Sequence, residues 1–440
     1  MSEKSSSMPE ISTFMPGTSR RKFLEGSAIA ATAASLPIKA SAQVAGGSTL
    51  RVALVGCGGR GSGAAAQTLL NDGVKLVAMA DAFSDRLESS LANIKKQHGE
   101  KVDVPEEHKF IGLEGYKQVF DLCDVVILAT PPGFRPMMFE AAVAAGKHIF
   151  MEKPVGTDAP GIRRVLEAAR KADEKGLKVV VGLQRHYETQ YTETLKQYLD
   201  GAAGDFIGAQ AYWNGTSPWV RDRKEGMTEM EYQIYNWYYF AWLCGDHIVE
   251  QHIHNLDVIN WFKGEFPVSA QGMGGREVRK GPRFGEIYDH HYVEFTYADG
   301  TKLNSQCRHQ NGCWNRVSET IFGTKGIITP GRIVDYSGKT VWRHKGDNDP
   351  NPYEVEHARL YDAIRNDKPL NNAYYGAKST FTAILGRYAT YSGQNIKWDD
   401  ALAADNSLFP ERLAFDALPK VLPDADGNYP VAIPGVTKVL

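Results

Sequence analysis

Residues Arg51 to Asp81 read RVALVGCGGRGSGAAAQTLLNDGVKLVAMAD, and the reading of this stretch decides the fold. Val52, Ala53, Leu54 and Val55 form an apolar run short enough for a strand buried on both faces of a parallel sheet. Gly56-x-Gly58-x-x-Gly61 follows, ahead of a helix start rich in small residues at Ala64, Ala65 and Ala66. Gly56 permits the tight turn, Gly58 lets the backbone approach a pyrophosphate, and Gly61 lets the helix lie close to the strand. The helix N-terminus offers N–H groups and the positive end of its dipole to phosphate oxygens. A second apolar run, Val74 to Ala80, ends in Asp81, twenty residues after Gly61. There a carboxylate can accept hydrogen bonds from an adenosine ribose. A glycine loop alone often does no more than turn the chain. Strand, glycines, helix, strand and acid in this order point to a dinucleotide site.

Downstream the same alternation continues. Ser84 to Gln97 has helical periodicity, Asp124 to Thr130 is a buried strand running into Pro131-Pro132, and a helix is expected from Arg135 to Ala145. The strand His148 to Met151 then leads to Glu152-Lys153-Pro154. Such alternation implies a doubly wound α/β sheet with ligands at the carboxyl ends of its strands, where Thr130, Pro131, Glu152 and Lys153 all fall. The expected cofactor contacts are Gly56, Gly58, Gly59, Arg60, Gly61, Asp81, Thr130, Pro131, Glu152, Lys153 and Gln184. This Rossmann unit is assigned to residues 49–175, with a helix from Gly156 to Lys175 leaving it.

Residues 176–440 change character. Val179 to Leu183 is a strand ending in Gln184-Arg185-His186, and period-two segments follow at Ile207–Trp213, His291–Tyr297 and Thr301–Arg308. Asp299-Gly300 is a hairpin turn between the last two. These imply a large, mainly antiparallel open sheet with helices on one face, the helices including Glu354–Arg365 and Ala377–Tyr391.

The first 48 residues stand outside both units. Ser19-Arg20-Arg21-Lys22-Phe23-Leu24 is a twin-arginine motif, followed by an apolar segment from Gly26 to Ile38 and the small-residue signature Ala40-Ser41-Ala42. The expectation is a signal peptide cleaved near Gln43, export through the twin-arginine (Tat) machinery, and a periplasmic or otherwise exported protein. The apolar segment is too short for a permanent span. With 440 residues, 42% of them hydrophobic, and a net charge of -2, the chain has length for two cores and no basic stripe for nucleic acid. Its five cysteines form no C-x-x-C pair, so no zinc or disulfide framework is signalled.

The segment Gly245 to Asp257, GDHIVEQHIHNLD, carries the chemistry. On a continuous helix His247, Glu250, His254 and Asp257 would share a face, with Glu250 one turn before His254 and able to orient its imidazole. His247-x-x-Glu250-x-His252 is one residue longer than the inverted zinc motif, and His252 would point away, so no metal is expected. Trp213, Asn214, Trp219, Arg221, Tyr232, Tyr235, Trp237, Tyr238 and Tyr239 form either a sugar-stacking cleft or an aromatic core or subunit interface. Arg185, Tyr187, Trp213, Arg221, Tyr238, His247 and His254 are the expected substrate contacts.

The glycine fingerprint, Thr130-Pro131-Pro132, Glu152-Lys153-Pro154 and the Gly245–Asp257 segment together resemble the Gfo/Idh/MocA oxidoreductases, the group of glucose-fructose oxidoreductase and inositol dehydrogenase. The resemblance covers nearly all of the chain after residue 49. It implies bound NAD, with NADP open, and a sugar, cyclitol or related polyol as substrate. It also implies a catalytic group of lysine, aspartate and histidine, matched here by Lys153, Glu250 and His254; glutamate for aspartate is a departure. Asp81 favours NAD by repelling a 2′-phosphate, whereas Arg60 and Arg86 could reach one. The alternative activity is an NAD-dependent glycoside hydrolase working by oxidation, elimination, hydration and re-reduction, since Gly56-x-Gly-Gly-Arg-Gly61 is similar to the loop of that group. A non-catalytic sugar sensor is disfavoured by Lys153 and His254. A homo-oligomer is expected, and so is a tightly held cofactor, because an exported enzyme meets no dependable pool of free NAD.

Overall fold

The computed structural model describes residues 49–440, so the signal-peptide expectation for residues 1–48 lies outside the described residues. The first apolar run becomes β1 (Leu50–Val55), the centre of a six-stranded sheet. Its other strands are β2 (Val74–Asp81), β3 (Lys109–Ile111), β4 (Val125–Leu128), β5 (His148–Met151) and β6 (Val179–Val181). The order is β3-β2-β1-β4-β5-β6 and every pairing is parallel. Helices cover both faces, which is why Val52, Ala53, Leu54, Val126 and Ile127 are wholly buried. β6 corrects the domain boundary: Val179–Val181 pairs with β5 and completes the first sheet. An uninterrupted apolar triplet buried on both faces suits a parallel strand better than a half-exposed antiparallel sheet.

The second sheet has nine strands in the order β14-β13-β12-β11-β7-β10-β9-β8-β15. β7 (Phe206–Gly215) contains the first period-two segment, and β9 (His290–Thr296) and β10 (Lys302–His309) match the other two to within one residue at each end. β8 (Ser269–Gly275), β11 (Arg316–Gly323), β12 (Gly326–Thr329), β13 (Arg332–Asp335), β14 (Thr340–Arg343) and β15 (Ile396–Lys397) complete it. β7 and β10 run parallel at its centre and the other pairings are antiparallel. The helices Ile253–Lys263 and Ala373–Ser392 pack on one face. The second of these also touches the first domain, where a Cβ on Gly376 would sit 3.0 Å from the Val181 side chain.

The two domains meet along a close seam. A Cβ on Gly133 would lie 2.1 Å from the carbonyl oxygen of Trp242. Beyond the helix Trp398–Ala403 the chain runs without regular structure, yet it fastens both domains: Leu408 N donates to Asp158 (2.7 Å) and Phe409 packs edge-on against Phe134 and Trp242. No helix among the described residues is long and apolar enough to cross a membrane.

Gly133→Ala is expected to destabilise the protein by about 1–3 kcal/mol, because neither backbone at the contact can retreat without moving a domain. Gly215→Ala, whose Cβ would meet nothing within 4 Å, is the control. Equal denaturant midpoints for the two variants would contradict the seam.

Candidate active site

The glycine turn is built on two steric demands. Gly56 adopts φ +93°, and a Cβ there would lie 2.6 Å from the backbone at Ala129. A Cβ on Gly61 would stand 1.9 Å from the carbonyl oxygen of Gly56, so only glycine lets the helix Gly59–Leu69 start this close to β1. Gly58 and Gly59 face open space instead, and the helix has no side-chain cap. Above them lies a cleft of about 320 Å³ whose walls include Gly56, Gly58, Gly59, Arg60, Gly61, Asp81, Thr130 and Pro131. Asp81 accepts from Cys57 N (2.6 Å) on one oxygen and from Phe83 N (2.9 Å) on the other. Each oxygen keeps a lone pair for a ribose hydroxyl. Burial raises the Asp81 pKa, against the opposing pull of these two amides. Open glycines, an uncapped helix start and a half-satisfied carboxylate fit a dinucleotide.

The second domain contributes the far wall. Trp219, Arg221, Ile234 and Trp237 line the same cleft. The Arg221 guanidinium lies 4.0 Å from the Trp219 ring centre and 5.0 Å from that of Tyr235, while Arg86 stacks on the other side of this corner, 5.8 Å from the Tyr235 ring. Arg221, a substrate contact by the sequence reading, lines the cleft that also holds the glycine turn. Arg60 turns inward: Nε donates to Glu152 (2.5 Å) and Nη2 is 3.7 Å from Glu356.

The catalytic expectation converges from both domains. Lys153, joined to Pro154 by a cis peptide bond, donates from Nζ to the carbonyl oxygen of Glu250 (2.5 Å) and lies 3.2 Å from its Oε1. Glu250 is thus the partner of Lys153, where the sequence predicts a partner for His254. The reason is local: the helix His247–Glu250 stops, Gln251 and His252 form a turn, and a new helix runs from Ile253 to Lys263. Burial raises the Glu250 pKa, partly offset by Lys153, and Glu250 Oε2 has no hydrogen-bond partner among the described residues. His254 stacks on Trp213, with ring centres 5.8 Å apart and planes at 22°. Burial pushes the His254 pKa well down, and Lys153, Arg185 and Arg60 push it further, so the imidazole is neutral. The set is a neutral base, a lysine ammonium and a buried carboxylate beside an aromatic wall.

The remaining predicted residues divide. Tyr238 is buried against this centre, near Glu250 and Gln251. Gln184 has a buried Oε1 with no hydrogen-bond partner among the described residues. Arg185 pairs with Glu319, which also accepts from Asn255, so this arginine is held by neighbours that sequence reading missed. Tyr187 donates to Asn372 (2.6 Å). His247 does not face the substrate side; its side chain is fully buried and bonded to Asp246. Asp257 turns to His186 (2.8 Å) and Ser379 (2.6 Å). Glu356, wholly buried beside Arg60, was legible in the sequence only as one acid on an amphipathic helix. Among the described residues, the ligand atoms that do gather are those of Asp246, His247 and His291, within 4.8 Å of one another, and not those of His247, Glu250 and His252.

Residues 50–182 match the family model described as "Oxidoreductase family, NAD-binding Rossmann fold", and residues 220–377 match its companion, "Oxidoreductase family, C-terminal alpha/beta domain". The chain belongs to the Gfo/Idh/MocA family. This Gfo/Idh/MocA protein is an NAD-dependent oxidoreductase. It is 28% identical over 284 residues to inositol 2-dehydrogenase of Ralstonia nicotianae, covering 64% of this chain and 74% of that protein. It is 26% identical over 207 residues to 2,7-anhydro-N-acetylneuraminate hydratase of Escherichia coli, covering 47% of this chain and 51% of that one. In fold it is similar to aldose-aldose oxidoreductase from Caulobacter crescentus (TM-score 0.63, 21% identity, 79% of this chain and 99% of that). It is similar too to scyllo-inositol dehydrogenase from Lactobacillus casei with bound NAD(H) and scyllo-inositol (TM-score 0.60, 19% identity, 80% and 99%).

Several histidines are buried in their neutral form. Burial lowers His148 to about 4, and His252 and His357 to about 3, from an ordinary 6.5. Below pH 6.5 the unfolded chain takes protons that the folded imidazoles refuse, so these histidines pull stability down as pH drops from 6.5 toward 4, while buried Glu286, raised to about 7, pulls the other way. The histidine contribution approaches about 1.4 kcal/mol per pH unit for each such group. Urea unfolding at stepped pH of the wild type and of His148→Gln isolates it: the variant is expected to lose less stability than the wild type between pH 6.5 and 4, and parallel curves would contradict it.

Proposed function

We propose that this protein oxidises a secondary alcohol of a sugar, cyclitol or glycoside, using NAD that stays on the enzyme. The observation that carries the reading is the convergence of Lys153, Glu250 and His254 beside Trp213. Oxidation requires the hydroxyl to lose its proton as its carbon loses a hydride. Neutral His254 takes the proton, and the Lys153 ammonium stabilises the oxygen as negative charge develops on it. Glu250 fixes Lys153 and balances its charge. Trp213 offers a face to the apolar side of a sugar ring. Bound with its pyrophosphate on Gly56–Gly61 and its ribose on Asp81, the nicotinamide cofactor would supply the hydride acceptor. The names of the inositol 2-dehydrogenase and aldose-aldose oxidoreductase relatives support a polyol or sugar substrate.

Retention draws support from the second domain: Trp219, Arg221 and Trp237 line the cleft together with the glycine turn, so the nucleotide is held from both domains. Asp81 favours NAD over NADP, with Arg86 and Arg221 as the groups that would receive a 2′-phosphate. A redox-neutral reading, in which the substrate regains its hydride after elimination and hydration, draws support from the partial match to a hydratase. Recycling of this kind suits export through the twin-arginine route, our proposal for residues 1–48. The uncovered face of the second sheet, with Met273, Tyr292 and Tyr212 in one row across it, supports pairing with a second copy.

Lys153→Ala and His254→Ala are each expected to lower turnover by about 10²–10⁴-fold while leaving cofactor bound. Near-normal rates in both variants, on a panel of polyols and glycosides, would move the chemistry elsewhere. Desalted wild-type protein should retain NAD(H), whereas Arg221→Ala should lose it on dilution. Wild-type protein that emerges empty would defeat retention.

A further inference from the structure

Glu356 is an acid that neither the alcohol chemistry nor the fold accounts for. It sits on the helix Pro352–Arg365, which lies in the sequence between β14 and β15 of the second sheet but packs on the first domain. Leu360, Tyr361 and Ile364 join the core around β1. His357 Nδ1 pairs with Thr68 (2.8 Å) on the glycine-turn helix, and its ring stacks 4.0 Å from Phe150 of β5. This packing buries Glu356 completely, and neither carboxyl oxygen has a hydrogen-bond partner among the described residues. A buried carboxyl without hydrogen bonds costs stability whether charged or neutral. Positions that break this rule without a structural return mark function.

The charges around it do not balance. Arg60, on the edge of the nucleotide cleft, donates from Nε to Glu152 (2.5 Å) and holds its buried, unpartnered Nη2 3.7 Å from Glu356 Oε1. One cation thus serves two acids, and Lys153, the residue after Glu152, is taken by Glu250. Burial and Glu152 keep the proton on Glu356, against the pull of Arg60. The other groups around it do not titrate near neutrality. Burial raises the phenols of Tyr187, Tyr353 and Tyr375 above their usual range and lowers His357 to about 3. Arg185 and Arg359, which act on these tyrosines, stay charged. Glu356 is therefore the group that gives up its proton when one more positive charge comes near.

A nicotinamide ring is such a charge, cationic when oxidised and neutral when reduced. Resting on the oxidoreductase reading above, we propose that Glu356 senses the redox state of the bound cofactor, ionised with NAD⁺ and protonated with NADH. The alcohol gives the ring a hydride, two electrons with one hydrogen, and the ring loses its charge. The proton that the alcohol releases is matched by one taken up at Glu356, which is itself neither oxidised nor reduced. Coulombic influence of this kind crosses several ångströms and needs no contact with the ring. It favours NAD⁺, the form that accepts hydride. By linkage the preference is present where Glu356 is ionised with NAD⁺ bound, so it grows as pH rises and vanishes in acid.

The test measures dissociation constants of NAD⁺ and of NADH, from about pH 6 to 9, for full-length protein stripped of nucleotide, as wild type and as Glu356→Gln. Glutamine keeps the shape and removes the charge, and the variant should unfold no earlier than the wild type because a buried acid is gone. In the wild type the ratio of the NADH constant to the NAD⁺ constant should rise with pH, by roughly tenfold in all, the scale of one unit-charge interaction in a partly buried site. In Glu356→Gln the ratio should stay flat. A merely structural role would weaken both nucleotides alike and leave the ratio and its slope unchanged. Ratios that run parallel in wild type and variant overturn the proposal, and a flat wild-type ratio overturns it whether or not the variant folds. Protein that binds neither nucleotide defeats the oxidoreductase reading and this proposal together, so the two failures are told apart.

Discussion

The contact between Lys153 and Glu250 is the constraint on which the architecture turns. Lysine comes from the end of β5 in the first domain and glutamate from the turn before the Ile253–Lys263 helix in the second. Both are nearly buried, with side-chain exposures of 12% and 9%, so neither charge has water to fall back on. Separating such a pair typically costs about 3–5 kcal/mol, far more than an exposed ion pair. Each domain therefore supplies the counter-charge that the other needs. The Gly133–Trp242 seam and the Ala373–Ser392 helix then hold the geometry that the pair requires. The pair proposed for catalysis is thus also a domain contact.

The first domain was largely legible in the sequence because its signals are local. Apolar runs at Val52–Val55, Val74–Ala80 and Val125–Leu128 admit little besides buried parallel strands, and the Gly56 and Gly61 contacts explain why no other residue stands there. A boundary at residue 175 cuts Val179–Val181 away from β5, the strand it pairs with, because a helix separates the two along the chain and sequence order hides the pairing. Strands β12 to β14 have four residues each and are half-exposed, so their alternation carries little signal.

The site was legible in its members and less so in its pairings. Lys153 meets Glu250 and acts electrostatically on His254, but periodicity presumes a continuous helix, and the break at Gln251–His252 redirects Glu250 to Lys153 and His247 to Asp246. His291 belongs to a strand whose alternation speaks only of sheet, and nothing in its spacing from Asp246 points to a meeting. Arg185 was visible as a cation, while its restraint by Glu319 and Asn255 depends on the fold. Contacts made across the second sheet have no one-dimensional signature.

The irregular segment after Ala403 has a consequence for how the seam can loosen. Its Leu408 amide closes on Asp158, 250 positions earlier, and Phe409 packs against Phe134 and Trp242. The segment has no helix or strand of its own, so its order depends on the two domains it joins. Local opening draws on such stretches first. The clasp can therefore let go while both sheets stay paired, which separates the freedom of the seam from the stability of either domain.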